Sequence, residues 1–274
     1  MAFFKLLRQS PLSARIGLVM ILINVAAAIL APVIAPYGET EPIGDVWEGY
    51  SSKHYLGTDH LGRDLYTRLL YGARNTISIA FVTTALSFFI GIVSGFFAAT
   101  LGGWTDQILS RIIDIAMAFP SIIFCLLVLS ATGTSITSLI LVIAFLEATR
   151  VYRLSRAVAM DIEVMEFVEA ARLRGEGVWW LMRHEILPNA MPPLVAEFGL
   201  RFCFVFLFIA ALSFLGLGIQ PPTADWGGMV RENAGAIAFG ITTPLWPAGA
   251  VAFLTVGVNF VVDWFLQIAS GLKE

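Results

Sequence analysis

The chain has 274 residues, of which 58% are hydrophobic and only 14% are charged, and its formal net charge is −3. Soluble domains carry about 25% charged residues, so this composition excludes an ordinary soluble protein and indicates a chain that has lipid as its solvent. No basic stretch interleaved with aromatic residues suggests a nucleic-acid-binding surface.

The N-terminal region predicts an uncleaved membrane anchor. Residues 1–15 contain three basic residues and no acidic one, and an uncharged run follows as far as Ile34. This run has roughly the 20 apolar residues that a helix needs to cross a bilayer, and it is longer than the apolar core of a cleaved signal peptide. We therefore predict a cytoplasmic N-terminus over 1–15 and a first transmembrane helix over 16–36, with the basic flank inside.

Residues 37–75 form a long polar segment, which predicts an extracytoplasmic loop that ends in an amphipathic interfacial helix. His54, His60 and Asp64 are the candidate metal ligands of this loop. Their spacing follows no calcium-loop or zinc pattern, and no cysteine lies among them. We therefore expect no metal site here.

Residues 76–266 contain the remaining apolar segments. They predict transmembrane helices over 76–100, 108–129, 136–152, 194–215 and 245–266, followed by a cytoplasmic tail over 267–274. Gly91 and Gly95 lie four residues apart, so their face either packs closely against another helix or is merely tolerated in lipid. Cys125 and Cys203 lie in apolar runs and are predicted to be buried free thiols, and Trp226 and Trp246 to be interfacial anchors.

A basic, polar stretch over 154–193 interrupts the apolar second half of the chain. Helical spacing predicts one amphipathic helix, followed by a left-handed cap at Gly175. A second short helix is predicted over 178–187, ending before Pro188, because the residue ahead of a proline resists helical dihedrals. The spacing places four apolar residues on one face of the first helix, namely Val164, Phe167, Val168 and Ala171. Four crossings after the cytoplasmic N-terminus, and with arginines before it, this stretch is predicted to be cytoplasmic.

Ionisable residues inside the predicted spans are costly and therefore informative. Those in or near spans are Asp114, Glu147, Glu197, Arg201 and Asp263. Glu197 and Arg201 lie four residues apart and can pair on one helical face. The pair either makes its span tolerable in lipid or lines a polar route through the membrane.

Catalytic patterns are absent from the sequence. It contains no Walker A motif, and His184 and Glu185 do not begin a zinc-protease motif because Pro188 stands where the second histidine would be. No G-x-S-x-G elbow supports a catalytic serine. We predict that the chain is not an enzyme and carries no catalytic residue, metal or cofactor.

Three separated motifs resemble one protein family. They are HYLGTDHLGRDLYTRLLYGAR from His54, the EAA-type loop that runs from Glu169 through Gly175 to Pro188, and LSFLGLGIQPPTADWGGMV from Leu212. Together they resemble the permease subunits of type I ABC importers, in particular the second (C-type) permease of dipeptide, oligopeptide and nickel importers. The resemblance implies an all-α polytopic membrane protein with six transmembrane helices and a cytoplasmic coupling-helix hairpin.

The resemblance also implies a function and partners. The chain would form half of a pore for peptides or a related small solute in a bacterial or archaeal inner membrane, with both termini in the cytoplasm. Its partners would be a homologous permease subunit, two ATPase subunits that bind ATP and Mg, and an extracytoplasmic solute-binding protein. The residues that match the ATPase-coupling loop are Glu169, Ala170, Ala171, Gly175, Leu187 and Pro188.

The sequence also departs from the family and leaves one competing class open. Glu185 occupies a position where the family carries an apolar residue or histidine, and the C-terminal tail lacks the family's glycine-rich ending. The competing class is a stand-alone channel or secondary transporter. Such a protein would favour inverted repeats and paired broken helices, and the sequence contains no convincing internal repeat.

Overall fold

The computed structural model describes residues 10–269, and this part of the chain is almost entirely helical. Its α-helices are α1 (Leu12–Ile34), α2 (Leu65–Leu101), α3 (Gly103–Met117), α4 (Ser121–Thr132), α5 (Ile136–Glu163), α6 (Glu166–Leu173), α7 (Val178–Leu181), α8 (Leu187–Phe214), α9 (Trp226–Asn233) and α10 (Leu245–Ala269). A π-helical turn (Met182–Ile186) joins α7 to α8, and a 3₁₀ helix (Ala234–Phe239) follows α9. Most of the predicted N-terminal segment 1–15 and of the tail 267–274 lies outside the described residues.

Four helical segments in the described part are long and apolar enough to cross a membrane: α1, α2, α10 and the run Val178–Phe214 that contains α8. A fifth span exists if α3 and α4 act together, although they are bent by 85° at their junction. The junction contains Pro120, which removes a backbone donor and restricts the residue before it. The predicted count of six requires α5 as well, whose 28 residues suffice in length but include several charges.

Several predicted helix boundaries differ from those of the structure, and the predicted span 108–129 is broken between Met117 and Ser121. The predicted interfacial helix is the first part of the 37-residue α2, which begins when the Asp64 carboxylate accepts a hydrogen bond from the Thr67 N–H at 2.7 Å. The first turns of α2 are buried under the outer loops, with Leu65 and Arg68 almost fully enclosed. The structure therefore contains no separate interfacial helix here, because α2 is continuous from Leu65 to Leu101.

The predicted helix end before Pro188 is wrong. The π turn leads directly into α8, and Pro188 occupies one of its first two positions. Proline lacks a backbone N–H, but the N–H groups at a helix start have no acceptor within the helix, so proline is tolerated there. The run therefore continues through Pro188, with Pro192 and Pro193 also inside the helix.

Two apolar cores hold the helices together. The first contains Trp226, whose indole N–H donates to the Leu69 carbonyl at 2.9 Å and whose ring meets Phe206 edge to face. The prediction of an interfacial anchor is therefore wrong for Trp226, which is 2% exposed. Cys125 and Cys203 are buried and free in the same core, as predicted.

The glycine face of α2 packs against α5, which decides between the two alternatives that the sequence left open. A Cβ atom on Gly91 would lie 2.6 Å from the Val151 Cβ, and one on Gly95 would lie 2.8 Å from the Tyr152 carbonyl oxygen. Real side chains do not approach so closely, so only glycine allows these two helix backbones to meet.

Candidate functional site: the hairpin between α5 and α8 and the ion cluster behind it

The α5 and α8 helices are connected by a helical hairpin made of α6, α7 and the π turn. The α6 helix ends with Gly175 at a φ of +86°, the left-handed conformation predicted from the sequence. The Gly175 N–H donates to the Arg172 carbonyl at 2.9 Å, and the Glu176 N–H donates to the Ala171 carbonyl at 3.3 Å. These bonds use carbonyl groups that would otherwise be free at the helix end, and they fix the angle between the two arms.

The inner side of the hairpin belongs to the second apolar core. Val168 and Ala171 are fully buried there, together with Ala159 and Ile162 near the end of α5. Val164 and Phe167, which we predicted on the same face, are 82% and 42% exposed. Val164 precedes the first residue of α6, so the helical spacing that we assumed does not extend back to it.

One ion pair and one hydrogen bond attach the hairpin to the ends of the long helices. Arg172 pairs with Glu163 at the end of α5 and donates to the Thr100 carbonyl of α2 at 3.2 Å. Arg174 lies 3.8 Å from Glu185 across the hairpin. The departure from the family pattern at Glu185 therefore supplies the partner of Arg174.

The outer side of the hairpin combines several of the predicted coupling residues with exposed apolar groups. Glu169, Ala170, Gly175 and Pro188 are exposed, Leu187 is half-buried, and Ala171 lies on the inner side. The exposed apolar side chains of this surface include Val164, Met165, Phe167, Leu173 and Trp179. Leu173 was not among the predicted residues, although it could have been found as a large apolar residue among charges. Exposed apolar groups of this kind are typical of a surface that another protein covers.

A charged cluster lies behind the hairpin, between α5 and α8. The Arg201 Nε is 2.5 Å from the Glu197 carboxylate, so the predicted pair within one helix is present. The other end of the guanidinium lies 3.4 Å from the Glu147 carboxylate of α5, and Glu147 in turn lies 3.6 Å from Arg150. From the sequence alone, Glu147 is only an ionisable residue near a span end. Asp114 pairs instead with Arg153 at 2.7 Å, and Asp263 is exposed.

The three candidate metal ligands of the outer loop, for which we expected no metal site, do not form one cluster. His54 pairs with Asp64 at 3.3 Å, whereas His60 lies beside Asp59 and Glu232, within 4.8 Å of both. The Asp59 and Glu232 carboxylates already pair with the guanidinium groups of Arg63 and Arg68. A cation placed among them would meet two guanidinium groups, so the cluster fits a salt-bridge network better than a metal site.

The same network ties the two outer loops together. Glu232 belongs to α9, whose start is capped by Asp225 through the Gly228 N–H at 2.7 Å. Burial raises the pKa of the Asp225 carboxyl, although the Thr76 hydroxyl of α2 also donates to it. The outer end of the molecule is therefore held by hydrogen bonds and ion pairs, while the hairpin end combines a buried apolar underside with an exposed surface.

The architecture matches that of solved ABC importers. The chain is similar to the inward-facing MetNI methionine ABC transporter, with a TM-score of 0.59 and 20% identity over 76% of this chain and 97% of that one. It is also similar to an amino acid ABC transporter crystallised with histidines, with a TM-score of 0.52 and 20% identity over 73% of this chain and 94% of that one. The helical chain and its hairpin therefore share the fold of these transporters.

The family follows from the sequence comparisons. Residues 88–270 match the family described as binding-protein-dependent transport system inner membrane component, and the chain belongs to that family. The dipeptide transport system permease protein DppC of Alkalihalophilus pseudofirmus is 34% identical over 95% of this chain and 86% of its own length. The di/tripeptide permease DppC of Pseudomonas aeruginosa is 37% identical over 79% of this chain and 74% of its own length, and the glutathione permease GsiD of Pectobacterium atrosepticum is 31% identical over 95% and 87%.

Membership settles the general role of the chain. It is a multi-pass membrane protein and the permease subunit of a binding-protein-dependent ABC transport system, with ATP hydrolysis carried out by partner ATPases. It resembles the C-type permeases of peptide transport, as the sequence motifs predicted. No comparison supports a stand-alone channel or secondary transporter.

Proposed function

We propose that this chain forms half of the pore of a peptide importer and that its hairpin docks on one of two ATPase subunits. The observation that carries the coupling role is the two-sided hairpin. Its inner side is packed in the second apolar core, ion-paired to α5 and hydrogen-bonded to α2, while its outer side exposes apolar groups. The relatives that transport dipeptides, di- and tripeptides and glutathione support a peptide as the solute.

The predicted coupling residues divide into two roles. Exposed Glu169, Ala170 and Pro188 contact the ATPase, and their small or polar side chains allow close approach of its surface. Ala171 and Gly175 hold the hairpin in shape, one from inside the core and the other through its left-handed turn. A rigid connection is required, because nucleotide-driven closure must move the spans and not merely bend a loop.

The remaining partners follow from the same role. The homologous permease forms the other half of the pore, ATP and Mg bind to the ATPase subunits, and a solute-binding protein delivers the solute from outside. In this arrangement the termini and residues 154–193 are cytoplasmic, whereas the loop over 37–75 is extracytoplasmic. Glu197 and Arg201 belong to the polar route through the membrane, since they lie near the middle of α8.

The coupling role predicts a charge-sensitive hairpin. Glu169→Lys is expected to lower ATP-dependent uptake of di- and tripeptides by about tenfold, because one charge reversal at an interface costs on the order of 1.4 kcal/mol or more. The chain is co-expressed with the partner permease and the ATPase subunits, and the purified complex is reconstituted into liposomes with the solute-binding protein. Glu41→Lys is the matched control, since Glu41 is also exposed but lies in the loop assigned to the outside. Equal uptake by the two variants would argue against docking at the hairpin.

The proposed orientation predicts opposite labelling of two exposed aromatic positions. Trp179→Cys and Tyr50→Cys replace side chains that are 63% and 79% exposed, while the native Cys125 and Cys203 are buried and give little background. In intact cells, a membrane-impermeant maleimide should label the cysteine at position 50 and not the one at position 179. Labelling at 179 from outside would place the hairpin beyond the reach of a cytoplasmic ATPase and remove the proposed function.

A further inference from the structure

The α5 and α8 helices are the two long helices that enter and leave the hairpin. Each has 28 residues, and Glu147 and Arg201 lie near their respective middles. At a rise of 1.5 Å per residue, Glu147 and Arg201 lie roughly 8 Å and 11 Å inside the hairpin-side ends of the predicted spans 136–152 and 194–215, so both residues lie within the membrane. Charged residues at such depth are expensive and tend to mark functional sites.

Arg201 pairs with two carboxylates at different distances. Its Nε is held at 2.5 Å by Glu197, four residues earlier on the same helix, which fixes the direction of the guanidinium. Its Nη1 extends across to Glu147 Oε2 at 3.4 Å. Among the described residues, this is the one ion pair that joins α5 to α8. The other Glu147 oxygen faces Arg150 at 3.6 Å, so each charge of the cluster has a partner.

The side chain of Glu147 is only 7% exposed, and those of Glu197 and Arg201 are 17% and 16% exposed. In such surroundings a charge that loses its partner is strongly destabilised, so the bridge resists separation of the two helices. A planar guanidinium can serve two carboxylates at once, whereas an ammonium group acts as a single point charge. Arginine at position 201 is therefore suited to holding its own helix and the neighbouring one together.

We propose that Glu147 is a positioning residue for transport, which clamps α5 to α8 through Arg201 so that movement of the hairpin reaches both helices as one unit. The inference rests on the proposed docking of the hairpin on an ATPase. Without the clamp, force applied to the hairpin would spread α5 away from α8 near the hairpin, and part of the movement would not reach the middle of the membrane. ATP hydrolysis would continue while the amount of solute moved per ATP fell.

The test measures the number of solute molecules transported per ATP hydrolysed. The full complex is reconstituted in liposomes with its binding protein, and the probe is a set of radiolabelled di- and tripeptides of alanine. Glu147→Gln keeps the size of the side chain and one hydrogen-bond acceptor but removes the charge. We expect uptake per ATP to fall by about fivefold, which lies at the lower end of typical coupling effects. The KM for uptake should stay within about twofold of wild type, because Glu147 does not contact the solute.

A second variant separates a clamp from a general packing role. Arg201→Lys keeps the positive charge beside Glu197 but cannot reach both carboxylates, so it should show the same loss of coupling. Uptake per ATP in the double variant should be no lower than in the more impaired of the two single variants, because each change removes the same bridge. Asp114→Asn is the matched control. It removes an ion pair to α5 that is exposed and lies outside the contact with α8, and uptake per ATP should stay at the wild-type value.

Each outcome decides the proposal. A raised KM with normal uptake per ATP would overturn it in favour of solute contact, and normal values in Glu147→Gln and Arg201→Lys would overturn it outright. Additive losses in the double variant, or failure of both single variants to assemble, would assign the pair to general stability instead. A wild-type complex without ATP-dependent uptake would remove the proposed function and this inference together, whereas a coupled wild type with unaffected variants would remove the inference alone.

Discussion

Gly175→Pro is expected to abolish ATP-dependent uptake while the membrane helices stay folded. Gly175 has a φ of +86°, and proline fixes φ near about −65°, so the turn between the hairpin arms cannot form. The substitution also removes the N–H that donates to the Arg172 carbonyl at 2.9 Å. The arm with Glu169 and the arm with Trp179 would then lose their fixed angle, and the surface that they present together would be lost.

Gly177→Pro is the matched control for this prediction. It makes the same change two residues later, where φ is −78° and ψ is 162°, values that proline adopts readily. A Cβ atom at either glycine would meet nothing within 4 Å, so the two sites differ in backbone conformation and not in packing space. Uptake and co-purification of the ATPase subunits should both be lost in Gly175→Pro and largely retained in Gly177→Pro. If Gly177→Pro lost uptake and ATPase co-purification to the same extent as Gly175→Pro, the left-handed turn would not be the essential feature.

Features set by nearby residues were the ones that the sequence predicted correctly. The turn at Gly175 depends on a cap within one helix end, and the Glu197–Arg201 pair depends on a spacing of four residues. The spacing of Gly91 and Gly95 within one helix indicated close packing only as one of two alternatives, and it did not identify α5 as the partner.

Features that depend on distant parts of the chain could not be predicted in this way. The bridge from Arg201 to Glu147 joins residues 54 apart in sequence, and the burial of Trp226 depends on the Leu69 carbonyl, 157 residues away. Side-chain spacing within one helix carries no information about such partners. The bridge is also the part of the candidate site on which the inferred clamp depends.

The errors in the predicted helix boundaries arose because two local sequence rules were applied too strictly. The pre-proline rule placed a helix end before Pro188, but a helix can begin a new run at a proline, and a π turn supplies the transition here. The helical wheel placed Val164 with Val168, yet α6 begins only at Glu166. A shift of two residues at a helix start thus leaves Val164 exposed, although Val168 and Ala171 are buried.

Gly95→Leu is expected to destabilise the protein and to stop transport, because it separates α2 from α5. A Cβ atom at Gly95 would lie 2.8 Å from the Tyr152 carbonyl oxygen and 2.9 Å from the Arg156 backbone nitrogen. These are backbone atoms, so no side-chain rotation can relieve the clash, and the two helices must move apart. Overpacking of this kind costs about 3 kcal/mol at the upper end of the usual range. The neighbouring Phe96 is part of the core beneath the hairpin, so the displacement would also loosen the coupling surface.

Gly249→Leu provides the matched control for this second prediction. Gly249 also lies within a membrane helix, α10, but a Cβ atom there would meet nothing within 4 Å, and the residue borders an open apolar cleft. Both changes give the same gain in helix propensity and in apolar surface, so the difference between them isolates the contact of α2 with α5. Thermal unfolding in detergent, followed by tryptophan fluorescence, should show a clearly lower midpoint for Gly95→Leu and a midpoint close to wild type for Gly249→Leu. Equal midpoints would mean that the backbones of α2 and α5 can separate at no cost, in which case the hairpin would have no rigid base from which to move the spans.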